Sequence, residues 1–176
     1  ISEHYPEDPE LYERFADKLE ATLKKYKENW EVILQELYNL REDIAQGRGK
    51  EKDIGLDKQK EMPFFGILVQ EIYEKKNYEE LSEEEIDLLK SITKRILSLI
   101  EEEINIVDFW ENDTKQRSLR SQINLHLITI NQPAFQGISE SKQKFLKQSL
   151  KDKRSSIAQR ILETAYRVYG ASHGKR

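Results

Sequence analysis

Hydrophobic residues recur every three or four positions along most of this chain, and that spacing predicts helices. The longest run follows Asp8, a good capping residue, and Pro9, which suits a first helical position. It forms one apolar stripe: Leu11, Phe15, Leu19, Leu23, Tyr26, Trp30, Ile33, Leu37, Leu40 and Ile44. The stripe predicts a single helix from Pro9 to about Gln46, roughly 55–60 Å long at the usual rise per residue.

Two details of this first helix bear on the fold. Its length exceeds what a compact domain needs, so the alternative is a break in the middle, near residues 28–29. Trp30 lies on the apolar stripe, and we therefore interpret it as a structural anchor in the core. Gly47 and Gly49 would stop the helix and open a polar segment, 47–61, that we expect to be a flexible loop.

Four later segments show the same periodicity. Ser82 and Glu85 form a capping box at the start of one of them, Asp113 is the expected cap of the next, and Ser139 is the expected cap of the last. The predicted helices occupy residues 62–76, 81–104, 113–130 and 140–169. The sequence therefore predicts an all-α fold, a largely antiparallel bundle of about five helices with an unusually long first helix.

Composition narrows the class of protein. Charged residues make up 35% of the 176 positions, and the absence of cysteine excludes disulfides, thiolate zinc sites and thiol nucleophiles. No apolar run reaches the roughly 18 residues that span a bilayer, and no signal-peptide pattern is present. We expect a single cytoplasmic domain cut from a longer protein, with residues 1–7 as a remnant and 171–176 as a loose tail.

The charge is distributed unevenly along the chain. Residues 1–113 carry 16 Lys and Arg against 30 Asp and Glu, whereas residues 114–176 carry 13 against 3. The net charge of -4 therefore hides an acidic part of -14 and a basic part of +10. Two interpretations stay open: the basic third contacts an anionic partner, or it contacts the protein's own acidic part.

The basic residues group at helical spacing. Arg117 and Arg120 begin the fourth helix, and the fifth carries Lys144, Lys147, Lys151 and Arg154, with Lys142, Lys153 and Arg160 broadening the patch. Such a face suits sequence-independent contact with phosphates, and an ordinary solvated lysine face is the alternative.

Trp110 lies in the connector before the fourth helix. The ring either plugs the junction between helices as a structural anchor or lies exposed beside the arginines. We favour the first interpretation, a structural anchor, because a ring packed in the connector would fix the directions of the helices on either side.

Catalytic patterns are missing from the sequence. There is no P-loop, no G-x-S-x-G and no H-E-x-x-H. His126 stands between two leucines and is interpreted as a structural histidine, and the glutamate runs are interpreted as helix starts and solvated faces. We therefore expect no catalytic residue and no metal ligand.

Four stretches, in this order, resemble the C-terminal helical region of the R subunit of type I restriction enzymes. They are EDPELYERFADKLEATLKKYKENWE, GLDKQKEMPFFGIL, IVDFWENDTKQRSLRSQINLHL and IAQRILETAYRVY. Phe109 departs from the family pattern before Trp110, and the proline in EMPFF is also unusual.

The resemblance implies a non-catalytic assembly domain. The parent subunit would be an ATP-dependent, site-specific deoxyribonuclease that uses ATP and Mg²⁺ in domains outside this chain. The expected partners are the methyltransferase and specificity subunits, with double-stranded DNA as a further partner and no membrane. The alternative is a free-standing helical adaptor whose long first helix offers a coiled-coil surface.

Overall fold

The computed structural model describes residues 7–27, 29–74, 77–105 and 108–170. Within these ranges the protein is all-helical, with six α-helices and no strand, which confirms the predicted class. The helices are α1 Pro9–Lys25, α2 Trp30–Gln46, α3 Met62–Tyr73, α4 Glu83–Ile104, α5 Asp113–Ile128 and α6 Glu140–Tyr169. The expected tail at 171–176 and residues 1–6 of the expected remnant lie outside the described residues.

The prediction of one unusually long first helix is wrong. Helix α1 ends at Lys25, and α2 begins at Trp30 after Asn29, whose side-chain oxygen accepts a hydrogen bond from the Val32 N–H at 3.3 Å. An asparagine at this position starts a new helix because it satisfies a free backbone donor of the first turn. The two 17-residue helices form the α1–α2 hairpin, residues 9–46, held in part by a Lys18–Asp43 ion pair of 2.6 Å.

The break also corrects the placement of Trp30. Its side chain is 71% exposed, so it is not a core anchor. The residues of α2 that pack inward are Ile33 and Leu40, which are 3% and 5% exposed. The alternative function as a coiled-coil adaptor loses its physical basis here, because it required the long uninterrupted helix.

Helices α3 to α6 enclose the main hydrophobic core. Helix α3 is apolar on nearly all sides and packs against α1, α4 and α6. Pro63 lies in its first turn, where the missing N–H breaks no helical hydrogen bond. Helix α4 begins with the predicted capping box, in which Ser82 and Glu85 each accept a hydrogen bond from the other's backbone N–H.

A second, smaller cluster holds the hairpin together and consists of Leu11, Phe15 and Leu40. Tyr12, Leu19 and Ile44 pack against this cluster partly buried, and α1 also packs on α3. Polar interactions add to these apolar contacts.

One such interaction centres on Arg48, which is only 4% exposed. It lies in a short 3-10 helix, Gly47–Lys50, within the segment expected to be a flexible loop. Its guanidinium donates to Asp8 at 2.6 and 2.8 Å, to Glu10 at 2.6 Å and to Glu51 at 2.8 Å. Burial alone would lower the pKa of Arg48, but the hydrogen bond to Asp8 and the three carboxylate charges raise it.

Gly66 of α3 makes room for this Arg48 cluster, which we define as Arg48, Asp8, Glu10 and Glu51. A Cβ atom on Gly66 would lie 2.9 Å from an Arg48 nitrogen and 3.0 Å from the Glu10 Cβ. Only glycine lets the Arg48 cluster approach α3 this closely, so the ion pairs lie directly against a helix of the main core.

Replacing Arg48 by alanine should destabilise the protein strongly. The change leaves Asp8 buried without its cation and Glu10 with only the 3.1 Å contact to Arg14, and breaking a buried pair costs about 3–5 kcal/mol in comparable cases. Urea unfolding followed by circular dichroism would measure the loss. Arg41→Ala is the matched control, because Arg41 is an exposed arginine of the neighbouring helix α2. Equal losses in the two variants would contradict a stabilising role for the Arg48 cluster.

Candidate functional site: the basic surface of α5 and α6

The residues expected to bind a partner lie on α5 and α6, which pack against each other. Helix α5 is capped by Asn112 rather than by Asp113, since the Asn112 side chain accepts from the Thr114 and Lys115 N–H groups at 3.0 and 3.1 Å. Arg117 and Arg120 follow in its first two turns. Arg117 is exposed and Arg120 is half-buried.

Three lysines of α6 form an exposed row that we call the lysine flank: Lys144, Lys147 and Lys151. Lys147 donates to the Gln132 side chain at 2.5 Å and lies 4.7 Å from the centre of the Phe135 ring. Within the described part of the chain, none of the three pairs with a carboxylate. The lysine flank therefore presents uncompensated positive charge to the solvent.

Arg154 lies beside the lysine flank, half-buried. Its guanidinium donates to the backbone oxygen of Lys151 at 2.5 Å. This contact holds the side chain along the helix, so that its charge adds to that of the three lysines.

Two other cations of α6 are compensated by acidic residues of the bundle. Lys142 pairs with Glu85 at 2.8 Å, and Arg160 donates to Glu71 at 2.8 Å and to Gln70. Arg160 follows Lys151 by nine residues, or two and a half turns, which places it on the opposite side of the helix. The single broad patch expected from the sequence is thus wrong, because Lys142 and Arg160 do not extend the lysine flank.

Trp110 packs at the junction of the connector Phe109–Glu111 with α6. Its ring meets the Phe109 ring edge-to-face at 4.8 Å and the Tyr166 ring at 5.3 Å. The same ring borders an open groove of about 700 Å³ that Arg120 also lines. The structure thus brings Trp110 and Arg120 together, while Arg117 lies outside the groove.

Glu85 is a buried carboxylate that sequence reasoning treated only as a capping residue. It is 3% exposed and accepts hydrogen bonds from Lys142 at 2.8 Å, from the Tyr73 hydroxyl at 2.9 Å and from the Ser82 N–H at 3.0 Å. Burial by itself raises the pKa of Glu85, but these hydrogen bonds outweigh burial and lower it to about 2. The carboxylate therefore stays charged and fixes one side of α6.

Other candidate chemistry is limited within the described residues. His126 is half-buried, and burial, with a smaller contribution from Arg95, lowers its pKa below the ordinary value. The described ranges contain no group of three His, Asp or Glu side chains placed to hold a metal ion. Among the described helices, none has the length and apolar character required to cross a bilayer.

The geometry describes an all-helical domain in which Lys142 and Arg160 are paired with carboxylates and the lysine flank is not. A family model for "Type I restriction enzyme HindI endonuclease subunit-like, C-terminal" matches residues 1–153. The chain belongs to this family of C-terminal domains, which confirms the resemblance noted in its sequence. No curated protein and no solved structure matches it.

The family match ends inside α6. The lysine flank, Arg117 and Arg120 all fall within the matched residues, whereas Arg154 and Arg160 fall beyond them. The closing stretch IAQRILETAYRVY, which contributed to the resemblance, also lies beyond the match.

Acid should reveal the contribution of Glu85 to stability. Since its pKa falls from 4.5 to about 2 on folding, its stabilisation is complete above about pH 4.5 and is lost as the pH falls towards 2. Glu85→Gln should remove on the order of 1–3 kcal/mol at pH 6 and flatten the decline of stability between pH 4.5 and 2.5. Urea unfolding across this range is the measurement.

Glu83→Gln serves as the control for the acid experiment. It removes an exposed carboxylate from the same first turn of α4 without touching Lys142 or Tyr73. It should leave the decline of stability unchanged, and an equal flattening in both variants would contradict the role assigned to Glu85.

Proposed function

We propose that this domain docks the ATP-driven, DNA-cleaving subunit of a type I restriction enzyme onto its methyltransferase and specificity subunits, and that its basic side contacts duplex DNA. The observation that carries the DNA contact is the lysine flank, whose three charges are exposed and unpaired within the described part of the chain. The family membership supplies the context of a restriction endonuclease subunit.

The spacing of the lysine flank suits a duplex backbone. Lys144 and Lys151 are separated by seven residues, roughly 10 Å along the helix axis. Duplex DNA carries one phosphate charge per 1.7 Å of its axis, so a row of this length meets several phosphates in any sequence. Lysine offers a flexible point charge, which positions DNA without selecting bases.

Arg117 and Arg120 contribute differently because they belong to α5. Arg120 is half-buried and lines the groove that Trp110 also borders, whereas Arg117 is exposed. Guanidinium groups bind carboxylates as well as phosphates through two parallel hydrogen bonds. We assign this pair to contact with a protein subunit or with DNA next to it.

The chemistry of cleavage belongs to other parts of the parent subunit in this proposal. ATP and Mg²⁺ would act in its motor and nuclease domains, and the complex would work in the cytoplasm. The residues of this domain hold, orient and retain the macromolecular partners.

Neutralising the lysine flank should weaken DNA binding in a salt-dependent manner. In the triple variant Lys144→Gln, Lys147→Gln, Lys151→Gln, the negative slope of log affinity against log salt should become shallower by roughly 2–3, since each phosphate contact contributes about 0.9. Fluorescence anisotropy with two unrelated 30-base-pair duplexes would measure the slope, and both should respond alike.

A matched control removes the same amount of charge elsewhere. Lys24, Lys25 and Lys27 are exposed near the tip of the α1–α2 hairpin. Their triple change to glutamine should alter the slope little, and an equal effect of the two variants would show that only net charge matters.

Arg117→Ala with Arg120→Ala should weaken assembly or retention on DNA. Pull-down of the methyltransferase and specificity subunits, with and without duplex DNA, would separate the two effects. A loss without DNA indicates protein docking, and a loss only with DNA indicates phosphate contact. An unchanged complex with a normal salt dependence would overturn the role of both arginines.

A further inference from the structure

Helix α2 exposes an unusual row of large apolar side chains. Trp30, Leu34 and Tyr38 are 71%, 55% and 62% exposed and follow each other at four-residue steps. We call these three residues the α2 stripe. Steps of four keep them on one side of the helix over roughly 12 Å.

The α2 stripe is not needed for the fold of the domain. Helix α2 packs on α1 through Ile33 and Leu40, and its contacts in the described structure are mainly with α1 and the 3-10 helix that follows it. Single exposed apolar residues are common, but three in register, two of them aromatic, are typical of an interaction surface.

Acidic residues border the α2 stripe on one side. Glu31 and Glu42 are exposed; Glu31 lies three residues before Leu34, and Glu42 lies four residues after Tyr38, so helical spacing places both beside the α2 stripe. Neither has an ion-pair partner within the described residues. Residues 7–46 as a whole carry 11 Asp and Glu against 6 Lys and Arg, so the hairpin repels a polyanion and attracts a basic partner.

The size of the α2 stripe fits the centre of a larger interface. Its exposed parts amount to roughly 300–400 Å², judged from the area that large side chains bury. That is about half of the 800 Å² that each partner contributes to a standard interface. Trp and Tyr are also the residues that most often dominate binding energy at such centres.

We propose that the α2 stripe seats an amphipathic helix of a partner protein, whose apolar residues cover Trp30, Leu34 and Tyr38 and whose lysines or arginines face Glu31 and Glu42. The inference rests on the proposed docking function and deepens it, because it assigns protein docking to the acidic hairpin and leaves DNA to the lysine flank. A helix lying against an apolar row with charged margins is a common mode of recognition.

A synthetic 18-residue leucine–lysine amphipathic helix is the first probe, and its leucine–glutamate counterpart is the second. Trp30 is part of the α2 stripe, so its emission should shift to the blue when the leucine–lysine helix binds. Leu34→Gln with Tyr38→Ser should weaken that binding at least tenfold without changing the protein's charge. The leucine–glutamate helix should bind at least tenfold more weakly than the leucine–lysine helix.

Matched controls distinguish binding at the α2 stripe from nonspecific binding to other exposed apolar side chains. Leu125→Gln with Ile128→Ser removes two side chains of α5 that are 58% and 51% exposed, and it should leave peptide binding unchanged. Glu31→Lys with Glu42→Lys should reverse the preference between the two peptides. All these positions are exposed, so the thermal midpoints should stay close to that of the unchanged protein.

Three results would overturn the inference. The first is equal peptide binding by the α2 variant and the α5 control. The second is a charge preference that the Glu31 and Glu42 changes do not alter. The third is a dimer in sedimentation that the α2 variant abolishes, because a second copy would then be the occupant.

Assembly of the parent subunit distinguishes this inference from the DNA contact. The Leu34 and Tyr38 variant should lose binding to the methyltransferase and specificity subunits while its affinity for DNA stays the same. Normal assembly would overturn the inference about the α2 stripe. The role of the lysine flank would be unaffected, since that depends on the salt slope.

Discussion

The ion pairs around Arg48 join the two ends of the α1–α2 hairpin at the place where the hairpin meets the rest of the domain. The bundle of α3 to α6 has a large apolar core, whereas the α1–α2 hairpin has a cluster of three buried side chains. A guanidinium held by Asp8, Glu10 and Glu51 joins the two ends of the hairpin, at a point where Gly66 lets α1 approach α3. Buried charges are costly to desolvate, so they persist only where every donor finds an acceptor. A network that is costly to desolvate is therefore selective for a single arrangement of the hairpin ends, the one that packs against Gly66.

Sequence periodicity predicted the helical class, the capping box of α4 and the ends of the later helices well, because those features depend on neighbours within one or two turns. It failed at the first helix. Apolar steps of three and four continue across residues 26 to 30, so the stripe alone shows no interruption. The capping preference of Asn29 was the available signal, and the break at that residue turns Trp30 from an inward to an outward position. Apolar spacing alone does not reveal a phase change between two helices, whereas the excessive length of the predicted helix did indicate a break near residues 28–29.

The candidate site likewise contains some features that the sequence predicted and others that it did not. Spacing along α6 identified the lysine flank correctly as an exposed row, since helix geometry fixes which residues share a side. It could not show that Arg160 meets Glu71 or that Lys142 meets Glu85, because these partners are 89 and 57 residues apart in the chain. Residues 114–176 carry a net charge of +10, but part of this charge is neutralised in the ion pairs that hold α6 to α3 and α4. The positive charge that remains for a partner is smaller than the composition suggests, and it covers a smaller surface.

The position of Asp8 and Glu10 within the Arg48 cluster has a mechanical consequence. A pull on the chain at residue 7 does not peel α1 away one turn at a time, because the first residues of the helix are clamped to a side chain that lies against α3. Tension applied there loads several ion pairs at the same time. Ion pairs that are loaded together withstand more force than ion pairs that break one after another. Force would thus pass into the bundle itself, and the hairpin, which branches off beyond the clamp, would stay unstrained and keep its outward surface in shape under tension.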